Sequence, residues 1–368
     1  MRIVTKHSGA CVAVATYPEH KFVYTAGADG SIHVLSDGGE VVFSKPRQKA
    51  GAADLTMALG AGRLVYLENE FKTIGWRDVK IDPPSFPAGG QRTLPAGYHG
   101  LHLTTVASDH LAAVACSRGL IWLIQWGRGH RRTARIVREG RHELPDGQVL
   151  TCLQYVDPSG LFLAAGVHRG TTGASWNGML RVYHGVLEHT FTDRLESSLE
   201  VDAGYAPVCI ARTEGRVVYA GLEGGRVMRL DLREWVPGGP APAPDVVRIP
   251  QTPKVTAVAV SACGRFVAVG ADYEEYGGVL LYDADLKPLA MFDTTSEPYS
   301  LAFHQPWMPD QAPTPTLFSG HAGGQVIKWY LDRQLTWMNL VDERPTNREP
   351  RIASSDAEEF THQRAIDL

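Results

Sequence analysis

One short segment recurs along the whole chain, and its period is the strongest constraint on the fold. An apolar residue precedes a small hydroxyl residue or its equivalent in Leu55-Thr56-Met57-Ala58, Leu103-Thr104-Thr105-Val106, Leu150-Thr151-Cys152-Leu153, Val255-Thr256-Ala257-Val258 and Tyr299-Ser300-Leu301-Ala302, with weaker copies at Ala10-Cys11-Val12-Ala13 and Pro207-Val208-Cys209-Ile210. Successive copies stand 44 to 57 residues apart. A second apolar run follows each: Phe22 to Gly27, Leu64 to Leu67, Leu111 to Cys116, Leu161 to Gly166, Val217 to Gly221, Phe266 to Gly270 and Leu317 to Gly320. After a turn comes a third, such as Ser31 to Leu35, Met179 to Tyr183 or Val279 to Asp283. Short runs rich in Val, Leu, Phe and Tyr, separated by Gly, Pro, Asp and Asn, are strands. Three or four strands per unit at a period of about 40–50 residues describe a propeller blade. The apolar positions show no helical period, which excludes a solenoid of helices. The expectation is therefore all-β: a seven-bladed β-propeller of four-stranded antiparallel blades over residues 1–341, with a short C-terminal tail over 342–368.

Composition narrows the function. The 368 residues carry 36 Lys and Arg against 40 Asp and Glu, a formal charge of −4. That balance argues against a general nucleic-acid or membrane-surface binder, which is normally basic. No apolar run reaches the roughly 18 residues that cross a bilayer, and the segment from Met1 to Ser8 does not read as a secretory signal. The five cysteines, Cys11, Cys116, Cys152, Cys209 and Cys263, are widely spaced and form no Cys-X-X-Cys pair. Buried thiols of a reduced, intracellular protein are expected, and no zinc site.

Several stretches resemble the turn-and-strand signature of WD-repeat β-propellers. They are Val260-Ser261-Ala262-Cys263-Gly264-Arg265-Phe266-Val267-Ala268-Val269-Gly270, Asp157-Pro158-Ser159-Gly160-Leu161-Phe162-Leu163-Ala164-Ala165-Gly166, and Lys21-Phe22-Val23-Tyr24-Thr25-Ala26-Gly27-Ala28-Asp29-Gly30. The resemblance covers residues 1 to about 341. It departs from the family in two ways. No third strand ends in Trp-Asp, the nearest equivalents being Tyr282-Asp283 and Leu230-Asp231. The usual Gly-His before each first strand is essentially missing, so the family's Asp-His-Ser/Thr-Trp network is not implied. The resemblance also suggests that Arg2-Ile3-Val4-Thr5 supplies the outer strand of the seventh blade, with Leu335 to Val341 as the competing closing strand.

A rigid scaffold carries its function on loops. Two turns between second and third strands are enlarged, one over Val167–Gly178 and one over Ala271–Gly278. They belong to the fourth and sixth blades and share one rim. Arg169, Trp176, Tyr273, Glu274, Glu275 and Tyr276 are the partner-binding candidates there, because aromatic and Arg side chains dominate interface energetics. A basic stretch from Arg128 to Arg141, with Arg128, Arg131, Arg132 and Arg135 at its head, forms a hairpin on the opposite rim. It is the one segment suited to nucleic acid or an acidic partner. Lys80 to Gly100 and Trp235 to Pro253 read as long Pro-rich connections of extended polyproline geometry. Ser355-Asp356-Ala357-Glu358 is a capping-box pattern that predicts a short helix from Asp356 to about Ile366.

No nucleophile elbow, phosphate-cradling loop or His-Glu-X-X-His occurs, and no cofactor or metal is expected. The repeated channel-side positions are read as Cys11, Thr56, Thr104, Thr151, Val208, Thr256 and Ser300, small and uncharged, which disfavours a propeller hydrolase or lactonase. The leading expectation is a non-catalytic protein–protein interaction scaffold or adaptor, a subunit of a larger intracellular complex. It is placed in the cytoplasm, with the nucleus or cytoskeleton as alternatives, and not at a membrane. The alternative is a substrate receptor of a cullin–RING ubiquitin ligase, which rests on Asp231 and Arg233 resembling the short docking motif of some WD-repeat proteins.

Overall fold

The computed structural model describes residues 1–16, 21–45, 54–58, 63–68, 72–81, 84–86, 89–106, 111–126, 136–145, 147–157, 160–169, 178–184, 197–213, 215–304, 315–331 and 363–364. Seven antiparallel sheets are arranged around one axis. Their first strands are Cys11–Thr16, Asp54–Ala58, Gly100–Val106, Gln148–Tyr155, Pro207–Arg212, Lys254–Val260 and Pro298–His304. Each first strand neighbours the first strands of both adjacent sheets, so these seven form the inner wall of the ring. Within each blade the second, third and fourth strands follow outward in hydrogen-bonded order.

The ring closes through the N-terminus. Arg2–Lys6 pairs antiparallel with Gln325–Trp329 and becomes the outer strand of blade seven, with Arg2 opposite Lys328 and Lys6 opposite Gln325. The competing segment, 335–341, lies outside the described residues. Blade six gains a fifth strand, Gln363–Arg364, on its outer edge against Met291 and Phe292. Those two residues are strand where the capping-box pattern predicts the end of a helix. The rest of that stretch lies outside the described residues.

Burial follows from the period of two. Successive side chains of a strand point to opposite faces, and both faces of every blade meet another blade. In blade four, Leu180 and Val182 pack toward blade five with Ile210, Leu230 and Trp235. Their neighbours Met179 and Tyr183 pack toward blade three with Leu111 and Ile121. The apolar core is accordingly split into seven clusters, one at each blade–blade seam. Double-sided burial is why the second and third strands read as nearly continuous apolar runs.

Six first strands carry a register shift at the same place, with the extra residue at Val12, Leu101, Thr151, Val208, Thr256 and Tyr299. A bulge bends its strand, and here it brings each first strand against the next blade. The facing second-strand residue is Gly166, Gly221, Gly270 or Gly320 in blades four to seven and Ala26 or Ala115 in blades one and three. In blade two the described pairs, from Asp54 opposite Leu67 to Ala58 opposite Arg63, are in unbroken register. A Cβ on Gly320 would lie 2.6 Å from Cys11 Sγ and 2.8 Å from Ser300 Oγ.

The two Pro-rich connections are more structured than polyproline spacers. Lys80–Ile81 and Pro84–Ser85 form a hairpin beside the outer strand of blade one, where Phe86 meets Phe43 edge-on at 5.2 Å. Gly89–Thr93 is the fourth strand of blade two, and Asp245–Arg248 that of blade five. Val236-Pro237-Gly238-Gly239 is a β-turn closed by a 3.0 Å bond from Gly239 N to Val236 O, with Gly238 at φ +83°. Proline then glycine at the two centres is type II chemistry, which breaks any polyproline helix there.

Two outcomes are expected. Replacing Gly320 with Val overpacks the inner ring and lowers stability by about 2 kcal/mol or more, read as the midpoint of a urea titration. Deleting residues 1–6 unpairs the third strand of blade seven and lowers Tm markedly, read by calorimetry.

Candidate functional site: the channel rim and the closing seam

The enlarged turn of blade six is compact. It joins Phe266–Asp272 to Gly277–Asp283. Tyr273 and Tyr276 stack with ring centroids 4.8 Å apart and planes 9° from parallel. Tyr273 N bonds Tyr276 O at 3.0 Å, and Asp272 Oδ1 accepts from Glu274 N at 2.9 Å. A Cβ on Gly278 would lie 2.9 Å from the Tyr273 ring, and the Tyr273 hydroxyl points to Met291 Sδ. Tyr276 OH donates to Gln251 Oε1 at 3.1 Å. Both tyrosines are half-buried, while Glu274 and Glu275 project into solvent. Of the partner candidates in blade four, Arg169 ends the second strand, Phe162–Arg169, and Trp176 lies outside the described residues. Arg128, Arg131, Arg132 and Arg135 also lie outside them; Arg138 and Arg141 sit in the fourth strand of blade three, Ile136–Glu143.

The bulges change the identity of the channel-side residues. Cys11 and Thr104 are buried, not channel-lining. In blades one, three and seven the extra residues are Val12, Leu101 and Tyr299, and Leu101 and Tyr299 are 44% and 40% exposed. Val149, near the start of the first strand of blade four, is 42% exposed. The innermost strands reach solvent only through the channel and its mouths. These side chains therefore form an apolar collar at one mouth, where the first strands begin and the second strands end. That is the rim carrying the Tyr273–Tyr276 turn. Further out, Arg226 lies over the Tyr205 ring at 3.9 Å on the same rim. Thr151 and Thr256 donate their hydroxyls to the carbonyls of Pro207 and Pro298 on the next blade, so they serve the ring itself. Among the described residues no cluster of three or more His, Cys, Asp or Glu could hold a metal ion.

On the opposite rim, Arg233 Nε donates to Asp231 Oδ1 at 2.9 Å. Arg229 bridges Asp231 at 3.2 Å and Asp245 at 2.9 Å. The Asp231–Arg233 pair closes its own turn and walls a groove with Trp235, Val236 and Pro240. Hydrogen bonds from Arg233 hold the Asp231 carboxyl below its ordinary range. Cys11, Cys116 and Cys152 are buried, and burial pushes each thiol up to about 12. Cys263 departs from the expectation of buried thiols: it is exposed.

Sequence reasoning missed a polar network at the seam of blades seven and one. His7 Nδ1 meets Ser31 Oγ at 2.6 Å, and its Nε2 meets Thr25 Oγ1 at 2.9 Å. Ser31 donates its own hydroxyl proton to Asp29 at 2.6 Å. Ser31 Oγ must then accept from His7 Nδ1–H, leaving Nε2 as the acceptor of the Thr25 proton. Asp29 also accepts from Ser8 N and Ser8 Oγ. Burial raises its carboxyl, but the bonds from Ser31 and Ser8 together hold it well below the usual range. His33 stacks on His7 at 4.2 Å. Blade seven repeats the logic with different parts. Trp329 Nε1 donates to Ser319 Oγ at 2.8 Å, Ser319 meets His321 Nε2 at 2.7 Å, and His321 Nδ1 donates to the Ser296 carbonyl at 3.0 Å. Two relays are thus present among the described residues, Asp-His-Thr in blade one and His-Ser-Trp in blade seven. The signals were Lys6-His7-Ser8 before the first copy and Trp329 ending a third strand. Strict searches for Gly-His and Trp-Asp pass over both.

Comparison with known proteins agrees with this geometry. Residues 1–36 match the family described as "WD domain, G-beta repeat". The match runs from the outer strand of blade seven through the third strand of blade one, so the sequence repeat is offset from the blade by one strand. The fold is similar to the β-propeller domain of Cps50 (Swd1) from Myceliophteria thermophila, at TM-score 0.65 and 15% identity, over 89% of this chain and 98% of that one. No curated protein matches. Residues 1–36 are thus similar to a WD repeat, and the fold of the chain is that of a β-propeller.

Burial lowers His7 to about 4, helped by neighbouring His33 and opposed by Asp29. Burial likewise lowers His321 and His304 to about 4. Unfolded histidine titrates near 6.5, so between these values the unfolded chain binds more protons and stability rises with pH. The contribution is complete above about pH 6.5 and is lost as pH falls through about 4. A urea midpoint that falls steadily over that interval is the expected result. Separately, Tyr276→Ala removes the aromatic stack and costs about 1 kcal/mol while leaving the fold intact, read by urea titration and circular dichroism.

Proposed function

We propose that the protein is a non-catalytic interaction scaffold, a subunit of a larger intracellular assembly, and that it engages a partner with the rim carrying the Tyr273–Tyr276 turn. The observation that carries this reading is the collar of Leu101, Val149 and Tyr299, large apolar side chains left in solvent at the channel mouth. Apolar groups grouped on an otherwise polar rim are the usual mark of a protein contact. Glu274 and Glu275 are exposed on the same rim, in the turn of blade six, and favour a partner segment that carries basic groups beside its apolar part. The likeness of residues 1–36 to the WD-repeat family, whose propellers generally act without catalysis, supports the same reading. So do the uncharged side chains at the bulges. No helix among the described residues is long and apolar enough to cross a membrane. The ligase-receptor alternative gains nothing from Asp231 and Arg233, which are bonded to each other.

Leu101→Asp combined with Tyr299→Ala tests the reading, because both side chains are already solvent-exposed and the variant should fold. Truncating a central aromatic anchor costs roughly 2 kcal/mol or more, about thirtyfold in affinity. Quantitative affinity purification from native cells should show one or more partners depleted to that degree. Recovery of every partner at wild-type yield by the folded variant would count against this rim.

A further inference from the structure

The seam between blades seven and one differs from the other six. Its apolar cluster has seven buried members among the described residues, Cys11, Val14, Val23, Leu35, Ala302, Phe318 and Val326, against seventeen between blades four and five. Polar groups fill the remaining space. His7, His304 and Lys328 are all buried there. His304 lies beside Phe318, and neither ring nitrogen has a hydrogen-bond partner among the described residues. Lys328 Nζ reaches the Asp37 carbonyl of blade one, and Arg2 pairs with Lys328 in the closing ladder. The closing strand itself is thinly held. Arg2, Ile3 and Lys6 are exposed, and Val4 alone inserts into the seam. Its C-terminal end is tied by Thr5 Oγ1 to His33 Nδ1 at 3.1 Å, and by His7 N to Gly324 O at 2.9 Å.

We propose that this seam is a proton-operated latch: protonation of His7, His33 and His304 releases Arg2–Lys6 from blade seven while blades four to six stay folded.

The hydrogen-bond directions supply the mechanism. In the His7 relay the neutral imidazole carries its proton on Nδ1 and accepts at Nε2 from the second-strand hydroxyl of Thr25. A proton arriving at Nε2 turns that acceptor into a donor. The buried Thr25 hydroxyl proton then loses its acceptor. His7 gains a cation stacked 4.2 Å from His33, itself titratable. The facing charges are few. His7 and His33 face each other and Asp29, whose nearest oxygen is 3.8 Å from His7 Nδ1. His304 faces Asp37 and Lys328, with Arg2 behind Lys328. One partly buried carboxylate near the stacked pair cannot neutralise two imidazolium ions, and a charged His304 adds to the Lys328 cation. Releasing the strand rehydrates these rings and uncovers the ladder edge of Gln325–Trp329, onto which another extended chain can pair.

Hydrogen exchange of the full chain, read by mass spectrometry at about pH 7.5 and about pH 5 and corrected for intrinsic rates, tests the latch. Protection of residues 2–6 is expected to fall about tenfold or more at the lower pH, while the second strands of blades four to six hold theirs. His7→Asn should shift the opening to lower pH, and His304→Leu should do so independently. Unchanged protection of residues 2–6, or its loss only together with blades four to six, overturns the proposal. So does an opening that begins only below about pH 4, where carboxylates titrate. If a variant fails to fold, that midpoint in the wild-type protein still decides the matter.

Discussion

Every blade in this ring is held from both sides, and none can bury its own faces alone. Alternate side chains of one strand serve alternate neighbours, so Leu180 belongs to one seam and Met179 to the next. Such a ring has no free end only if the chain's two ends meet. The pairing of Arg2–Lys6 with Gln325–Trp329 is therefore the contact on which the rest depends. Without it, blade seven keeps an open ladder edge and the seam beside blade one loses its outer support. Closure by the N-terminus also ties the first residues of the chain to some of its last, which makes the ring cooperative rather than a chain of independent hairpins.

The inner ring is built on a second constraint, the space where one first strand meets the next blade. Bulges at Thr151, Thr256 and their equivalents bring these strands together, and glycine opposite them leaves room. The same bulges decide which side chains reach the channel. Because one extra residue turns a strand's pattern to the other face, the collar consists of Leu101 and Tyr299 where a simple alignment of repeats places Thr104 and Ser300. A structural device of the inner ring thus creates the apolar mouth that the proposed partner contact uses.

Seam chemistry is unequal around the ring. Six seams rely on larger apolar clusters. The seventh substitutes imidazoles, hydroxyls and an ammonium group for part of the hydrocarbon. Fixed proton positions in the relay through His7 give that seam a geometry hydrocarbon would not, at the cost of sensitivity to protons.

The sequence alone carried the architecture. Seven repeats, three or four strands each, and antiparallel order were all legible, because burial on both faces and turn chemistry are local and periodic. The N-terminal closing strand was suggested by the family resemblance instead. The sequence placed Tyr273, Glu274, Glu275 and Tyr276 on a turn at one rim. What only the tertiary structure decided depends on register across strands and contact across blades. The stacking of Tyr273 on Tyr276, the exposure of Leu101 and Tyr299, and the joining of His7 to Thr25 and of His321 to Trp329 all bring together residues whose relation is set by bulges and ring closure. No local pattern encodes where a bulge inserts its residue, nor that residue 7 will close over residues 25 to 33 once residue 2 has paired with residue 328. Those relations exist only after the ring has closed.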